Sequence, residues 1–161
     1  MRPALSPRLR SLVALVPAGA AGVADVGAGH GALCAGLAAR TDARLIATEV
    51  CAGPLRELRD NLAAWGLIDR VEVRCGPGLD PLATAEVDAV VVAGVGATTM
   101  LNIARDAPAR GVRWLILQCM QHDELVLPWL TKRGWPVRAT DTSRHRQRAY
   151  IARLVEVEAG R

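Results

Sequence analysis

The chain has 161 residues and a formal net charge of +4, which bounds it to one domain with enough residues for a sizeable core. Hydrophobic residues make up 51% of it but aromatics only 3%, so the interior must be built from Val, Leu, Ile and Ala, a composition that suits a parallel sheet covered by helices. Cys34, Cys51, Cys75 and Cys119 show no paired spacing, and no run is apolar for long enough to cross a bilayer; a disulfide scaffold, a metal framework and a spanning helix are excluded, and reduced thiols in a cytoplasmic, metal-free protein are expected.

Ser6 and Pro7 predict a helix over about 6–16. Ser6 caps it, Pro7 takes the first turn, and Leu9, Leu12, Val13 and Val16 share one face. Arg2, Arg8 and Arg10 ahead of residues 12–24 imitate a secretory leader. Cleavage there would remove the first strand, so the match is read as accidental and 1–161 as a single domain. A short apolar strand follows at 22–26, a helix at 31–40 and a second strand at 44–48 that ends at Glu49. Gly53 and Pro54 open a helix that Gly66 closes. Strands are predicted at 70–74, 87–93 and 113–118, with helices at about 97–106 and 122–133. Two final strands near 135–141 and 149–157 leave no room for a crossover helix, so they must pair antiparallel. Five alternations of strand and helix imply a doubly wound, mainly parallel seven-stranded sheet with a terminal antiparallel hairpin, the class I methyltransferase (Rossmann-like) layout.

In such a sheet, ligands lie outside the carboxyl ends of the strands. The first strand delivers Asp25 and then Gly27, Gly29 and Gly31 around His30. Alternating glycines let the backbone approach a ligand closely. A carboxylate just before them would repel a pyrophosphate, but it suits the sulfonium and ammonium of S-adenosyl-L-methionine. The second strand delivers Glu49, twenty residues after Gly29, where an acid accepts from ribose hydroxyls. Val50 follows it. After the third strand no acid comes before Asp80, so backbone groups of Gly78 and Leu79 are the candidate adenine contacts. The fourth strand runs into Ala93-Gly94-Val95-Gly96, where small residues make room for a flat base. Gln118 ends the fifth strand. Gly94, Gly96 and Gln118 are therefore the candidate catalytic positions, with His30 as a lesser one. Methyl transfer to a ring nitrogen needs in-line placement more than a strong base. A thiol attack by Cys119 has no supporting second group, so a buried thiol is expected there.

Charge is unevenly placed. Residues 1–10 carry three bases and no acid, residues 11–130 nine bases and thirteen acids, and residues 131–161 eight bases and three acids. An acidic middle suits a cationic cofactor, and basic ends suit a polyanion. Arg8, Arg144, Arg146 and Arg148 are the candidate RNA contacts; the alternative is a solvated, aggregation-blocking edge.

Several stretches together resemble one family, the bacterial tRNA (adenine(22)-N(1))-methyltransferases that modify the D-arm. They are Leu5-Ser6-Pro7-Arg8-Leu9, Ala24-Asp25-Val26-Gly27, His30, Thr48-Glu49-Val50, Gly53-Pro54, Val73-Arg74, Gly78-Leu79, Ala93-Gly94-Val95-Gly96, Leu115-Ile116-Leu117-Gln118, Trp129-Leu130 and Tyr150, in family order. The resemblance implies S-adenosyl-L-methionine on the Asp25 loop and Glu49, a target adenine near Gly94–Gly96 and Gln118, and tRNA as partner. The chain departs from the family pattern at Ala28-Gly29-His30-Gly31-Ala32 for Ser-Asp-His-Ala-Tyr, at Pro77 for Asp, at Val95-Gly96-Ala97 for Met-Gly-Gly, and at Gln118-Cys119-Met120 for Gln-Pro-Asn. No counterpart of the family's C-terminal helical appendage is expected. Two other readings stay open: a non-catalytic RNA- or partner-binding relative, and a small-molecule methyltransferase. Oligomeric state is left open.

Overall fold

A computed structural model describes residues 1–145 and 147–157. In chain order the elements are α1 (Pro7–Leu15), β1 (Gly22–Val26), α2 (Ala32–Arg40), β2 (Arg44–Glu49), α3 (Ala52–Ala64), β3 (Val71–Cys75), β4 (Ala89–Val95), α4 (Ala97–Ala104), β5 (Trp114–Cys119), α5 (Val126–Arg133), β6 (Val137–His145) and β7 (Arg148–Glu156). The seven strands form one sheet in the order β3-β2-β1-β4-β5-β7-β6. β1 to β5 pair in parallel, while β7 runs antiparallel to both β5 and β6. This is the doubly wound sheet with a terminal hairpin that the alternation implied.

Local chemistry sets the element ends. Ser6 Oγ accepts from the Leu9 amide at 3.3 Å and Pro7 occupies the first helical position of α1. Gly134 closes α5 in the left-handed conformation. Several boundaries differ from expectation; the strand expected near 135–141, for example, runs Val137–His145. β4 starts at Ala89, because Asp88 is drawn out of the strand to accept from the Ala21 and Gly22 amides. The helix expected from residue 122 begins with a tight single turn at Asp123–Leu125 before α5.

The central strands β1 and β4 are apolar on both faces, so the sheet separates two cores. On one face Leu12, Leu37, Leu58 and Leu62 of α1, α2 and α3 pack against Val23, Val91 and Ile116. On the other, Met100, Leu101, Leu130 and Trp135 pack against Val90, Leu115 and Val155. Each fully buried Leu contributes about 1.5–3 kcal/mol. α1 lies across β6 and β7, and Ser11 Oγ donates to Asp141 Oδ2 at 2.7 Å to fix it there. The leader-like residues Leu12, Val13, Val16 and Val23 are therefore core. Among the described residues no helix is long and apolar enough to cross a membrane. β1 is flanked by β2 and β4, so the strand order reverses between β1 and β4. The ligand crevice of an open α/β sheet lies at that point.

Candidate active site

A cleft of about 300 Å³ occupies that crevice. Asp25, Gly27, Ala28, Gly29 and His30 form one wall, Ala93, Gly94 and Val95 the opposite one, and Arg8 and Leu9 of α1 close the top. The loop after β1 is held by the second strand: the Gly27 and Ala28 amides donate to the Thr48 carbonyl at 2.9 and 3.0 Å. Gly31 ends the loop at φ +81°, and a Cβ there would stand 2.7 Å from Leu58 Cδ1. The left-handed backbone favours glycine at that place, and a side chain there would also have to displace the Leu58 methyl.

Asp25 is 5% exposed. Its Oδ2 accepts from Cys34 Sγ at 3.2 Å. Burial pushes its carboxyl up to about 6, the Cys34 contact and the Arg8 cation opposing that shift and Glu49 adding to it. The Cys34 thiol is held well above its ordinary value by burial and by the neighbouring carboxylate, so it acts as a neutral donor. A buried carboxylate with one weak thiol donor is a strong attractor for a cationic ligand.

Glu49 is also buried. Its Oε2 accepts from the Gly29 amide at 3.1 Å, and its Oε1 from the Val50 and Cys51 amides at 2.9 and 3.2 Å. One carboxylate thus ties the glycine loop to the start of α3, and a carboxylate pair of oxygens has further lone pairs for ligand hydroxyls. Two acids from neighbouring strand ends meet at one glycine loop beside a bulged β4 end.

A model of the methyltransferase domain matches residues 5–152. The chain belongs to that family. The match takes in every strand and helix of this methyltransferase domain except the last residues of β7. It is similar to the tRNA (adenine(22)-N(1))-methyltransferase of Bacillus subtilis strain 168, with 31% identity over 131 residues. That alignment covers 80% of the chain and 55% of the relative, so the chain spans about half the length of the curated protein it matches. The crystal structure of the B. subtilis m1A22 tRNA methyltransferase TrmK superposes with a TM-score of 0.86 at 26% identity, covering 96% of this chain and 67% of that one. A Streptococcus pneumoniae protein in complex with S-adenosyl-L-methionine superposes with a TM-score of 0.87 at 27% identity, covering 98% and 75%. The resemblance drawn from the motifs and the fold drawn from the alternation are both found again here.

The methyltransferase domain brings Asp25, Gly27, Gly29, His30, Ala93 and Gly94 to one cleft, with Glu49 bonded to the loop. Other predicted positions lie elsewhere. Val50 points its side chain to solvent, and Leu79 is buried in the core with Leu82 and Met100. Gly78 packs near Ile103. Gly96 caps α4, and its carbonyl accepts from the Met100 amide at 3.0 Å. The His30 ring is exposed on the rim and its Nδ1 lies 2.8 Å from Glu57 Oε1 of α3. Arg144 and Arg148 flank the tip of the β6–β7 hairpin, and Arg146 lies outside the described residues. Cys119 is buried, its thiol pushed up to about 11 by burial and by Asp123, which removes it as a nucleophile at neutral pH.

Three side-chain contacts around the site escape a reading of the sequence. Cys34 bonds Asp25 from one turn inside α2, a partnership with no motif of its own. Arg8, expected only as a phosphate contact, reaches Gln118 Oε1 at 2.9 Å across 110 residues. Arg153, 5% exposed, grips Asp123 with two contacts of 2.6 Å and fixes the segment after β5. Among the described residues no group of three or more His, Cys, Asp or Glu has metal-binding geometry.

Proposed function

We propose that this protein is an S-adenosyl-L-methionine-dependent methyltransferase that modifies N1 of an adenine in tRNA. The observation that carries the reading is the pair of buried carboxylates, Asp25 and Glu49, at adjacent strand ends around one glycine loop. The residues fit the cofactor. Asp25 suits its cationic methionine end, since a buried carboxylate lacking a formal cation partner gains most from one. Glu49 suits the ribose hydroxyls, whereas Gly78 and Leu79, the adenine contacts expected from the sequence, lie outside the cleft lining, and the Leu79 carbonyl accepts from the Leu82 amide. When bound, the cofactor supplies an electrophilic methyl group on a sulfonium.

The protein's own part is placement. A ring nitrogen such as adenine N1 carries its lone pair already, so alignment supplies most of the rate. Ala93 and Gly94 line the cleft opposite the loop. The Val95 and Gly96 carbonyls are already engaged by the Met120 and Met100 amides and Ala93 pairs with Gln118 of β5, so Gly94, at the bulge between them, is the backbone position where a base's amino group would meet an acceptor. His30 is held by Glu57 at the rim and serves as a wall, not as a base. The tRNA assignment is supported by the named relatives and by Arg8 in the cleft lining.

The deciding experiment incubates the protein with unmodified tRNA transcript and methyl-labelled cofactor, then digests the tRNA for nucleoside mass spectrometry. Labelled 1-methyladenosine is expected. Cofactor binding by calorimetry without any labelled nucleoside would instead favour a non-catalytic RNA-binding relative.

A further inference from the structure

The hydrogen-bonding groups of Gln118 are spent inside the protein. Oε1 accepts from Arg8 Nη1 at 2.9 Å, while Nε2 donates to the Cys119 carbonyl at 2.5 Å and lies 3.7 Å from Met120 Sδ. The residue is 1% exposed, so its amide is closed off from a base in the cleft. Arg8 is placed differently. It leaves the first turn of α1, lines the cleft, and brings Nη1 to 3.8 Å from where a Cβ on Gly94 would stand. Its guanidinium carbon is 5.9 Å from the Tyr150 ring centre. Arg148 lies 5.6 Å from the same ring, and it donates to the Met120 carbonyl. Gln118, Arg8, Tyr150 and Arg148 therefore form a continuous ladder from beneath the cleft to the β6–β7 hairpin.

A guanidinium held by an amide and an aromatic ring has lost much of its freedom before any ligand arrives, so less is lost on binding. It carries five donors, and Gln118 takes one of them. The planar fork fits a phosphate. It does not fit the reacting ring, because methylation at N1 makes adenine cationic.

We infer that Arg8 and Arg148 receive successive phosphates of the RNA strand whose nucleotide enters the cleft, and that Gln118 is a positioning residue acting through Arg8. This rests on the RNA reading above. It replaces a direct contact of Gln118 with the base by an indirect one.

The test measures binding of a fluorescent single-stranded oligoribonucleotide by anisotropy over a range of salt concentrations. Each phosphate contact on a single strand contributes about 0.7 to the slope of log K against log salt. Arg8→Met and Arg148→Met are each expected to lower the slope by about that amount. Arg8→Lys keeps the slope but weakens binding several-fold, since it retains charge without the held fork. Gln118→Leu weakens binding at least about threefold when Arg8 is present and adds nothing in the Arg8→Met background, the coupling expected of residues acting as one unit. A cooperative thermal melt qualifies each preparation, and Arg8→Lys carries the positioning test if Gln118→Leu does not fold. An unchanged slope in Arg8→Met, a Gln118→Leu effect that adds in full, or no RNA binding by the wild type overturns the inference. Failure of the tRNA methylation reading looks different: no 1-methyladenosine forms, while the anisotropy pattern stands.

Discussion

Two clusters of charge use the same residue types to opposite ends. On the β2–β3 side, Arg44, Glu72, Arg74 and Glu86 neutralise one another completely. Arg74 grips Glu86 with two contacts of 2.6 Å and also reaches Glu72 at 2.9 Å, while Arg44 reaches Glu72 and Glu86 at 2.8 and 3.0 Å. Hydrogen bonds from Arg74 and the Ala83 amide hold the Glu86 carboxyl down at about 2. In the cleft, the one side-chain hydrogen bond of Asp25 among the described residues is from a thiol, and despite the nearby Arg8 cation burial pushes its carboxyl up to about 6. The framework cluster is finished without a ligand. The cleft cluster is left wanting a cation, and burial of that want is what selects the ligand.

The sharpest break of this contrast is Asp25→Asn. Removing the buried charge is expected to weaken cofactor binding about a hundredfold, the loss of a strong charge-assisted contact. The same change raises the melting temperature by several degrees at pH 7, since a desolvated carboxylate no longer opposes folding. Calorimetry with S-adenosyl-L-methionine and a thermal melt on one preparation check both halves. A variant that is less stable than wild type would remove the cleft from the class of strained functional sites.

Glu49→Gln is expected to cost less, about tenfold in cofactor affinity. Glutamine keeps one oxygen for a backbone donor, but its amino group meets either the Gly29 amide or the Val50 and Cys51 amides. The loop therefore loosens as the ribose contact is lost. Fluorescence or calorimetric titration with S-adenosylhomocysteine reads the loss. An affinity within twofold of wild type would move the ribose contact elsewhere.

The contrast between the clusters also separates what the sequence discloses from what it hides. The doubly wound sheet with its terminal hairpin, the glycine loop, Asp25 and Glu49 were legible because each obeys a local rule: alternation of apolar runs, glycine at fixed offsets, an acid at a strand end. Arg8 with Gln118, Cys34 with Asp25 and Arg153 with Asp123 obey none. Their separations run from 9 to 110 residues, and only the folded chain brings them together. The start of β4 was misplaced for a related reason. Val87 reads as strand, but the Asp88 carboxylate is captured by the Ala21 and Gly22 amides ahead of β1. Gln118 ended the fifth strand where a base contact is expected, and it does stand there; what the one-dimensional pattern could not show is that Arg8 had already taken its oxygen.

The smallest effect is expected at Glu86, and it is informative by its sign. Glu86→Gln removes the charge that faces Arg74 and Arg44 in a partly screened network and should cost about 1 kcal/mol at pH 7, with cofactor affinity unchanged because Glu86 does not line the cleft. The pH dependence then distinguishes the clusters. Glu86 has a folded value of about 2 against an ordinary 4.5, so its stabilisation is full above about 4.5 and fades as pH falls toward 2. Asp25 has a folded value of about 6 against an ordinary 3.8, so folding loses stability as pH rises through that window and the loss is complete above it. Urea melts from pH 2 to 8 should show Glu86→Gln flattening only the acid limb and Asp25→Asn flattening only the window between about 4 and 6. If both variants altered the same limb, the two carboxylates would share one environment, and the division between a finished framework and an unfinished cleft would fall.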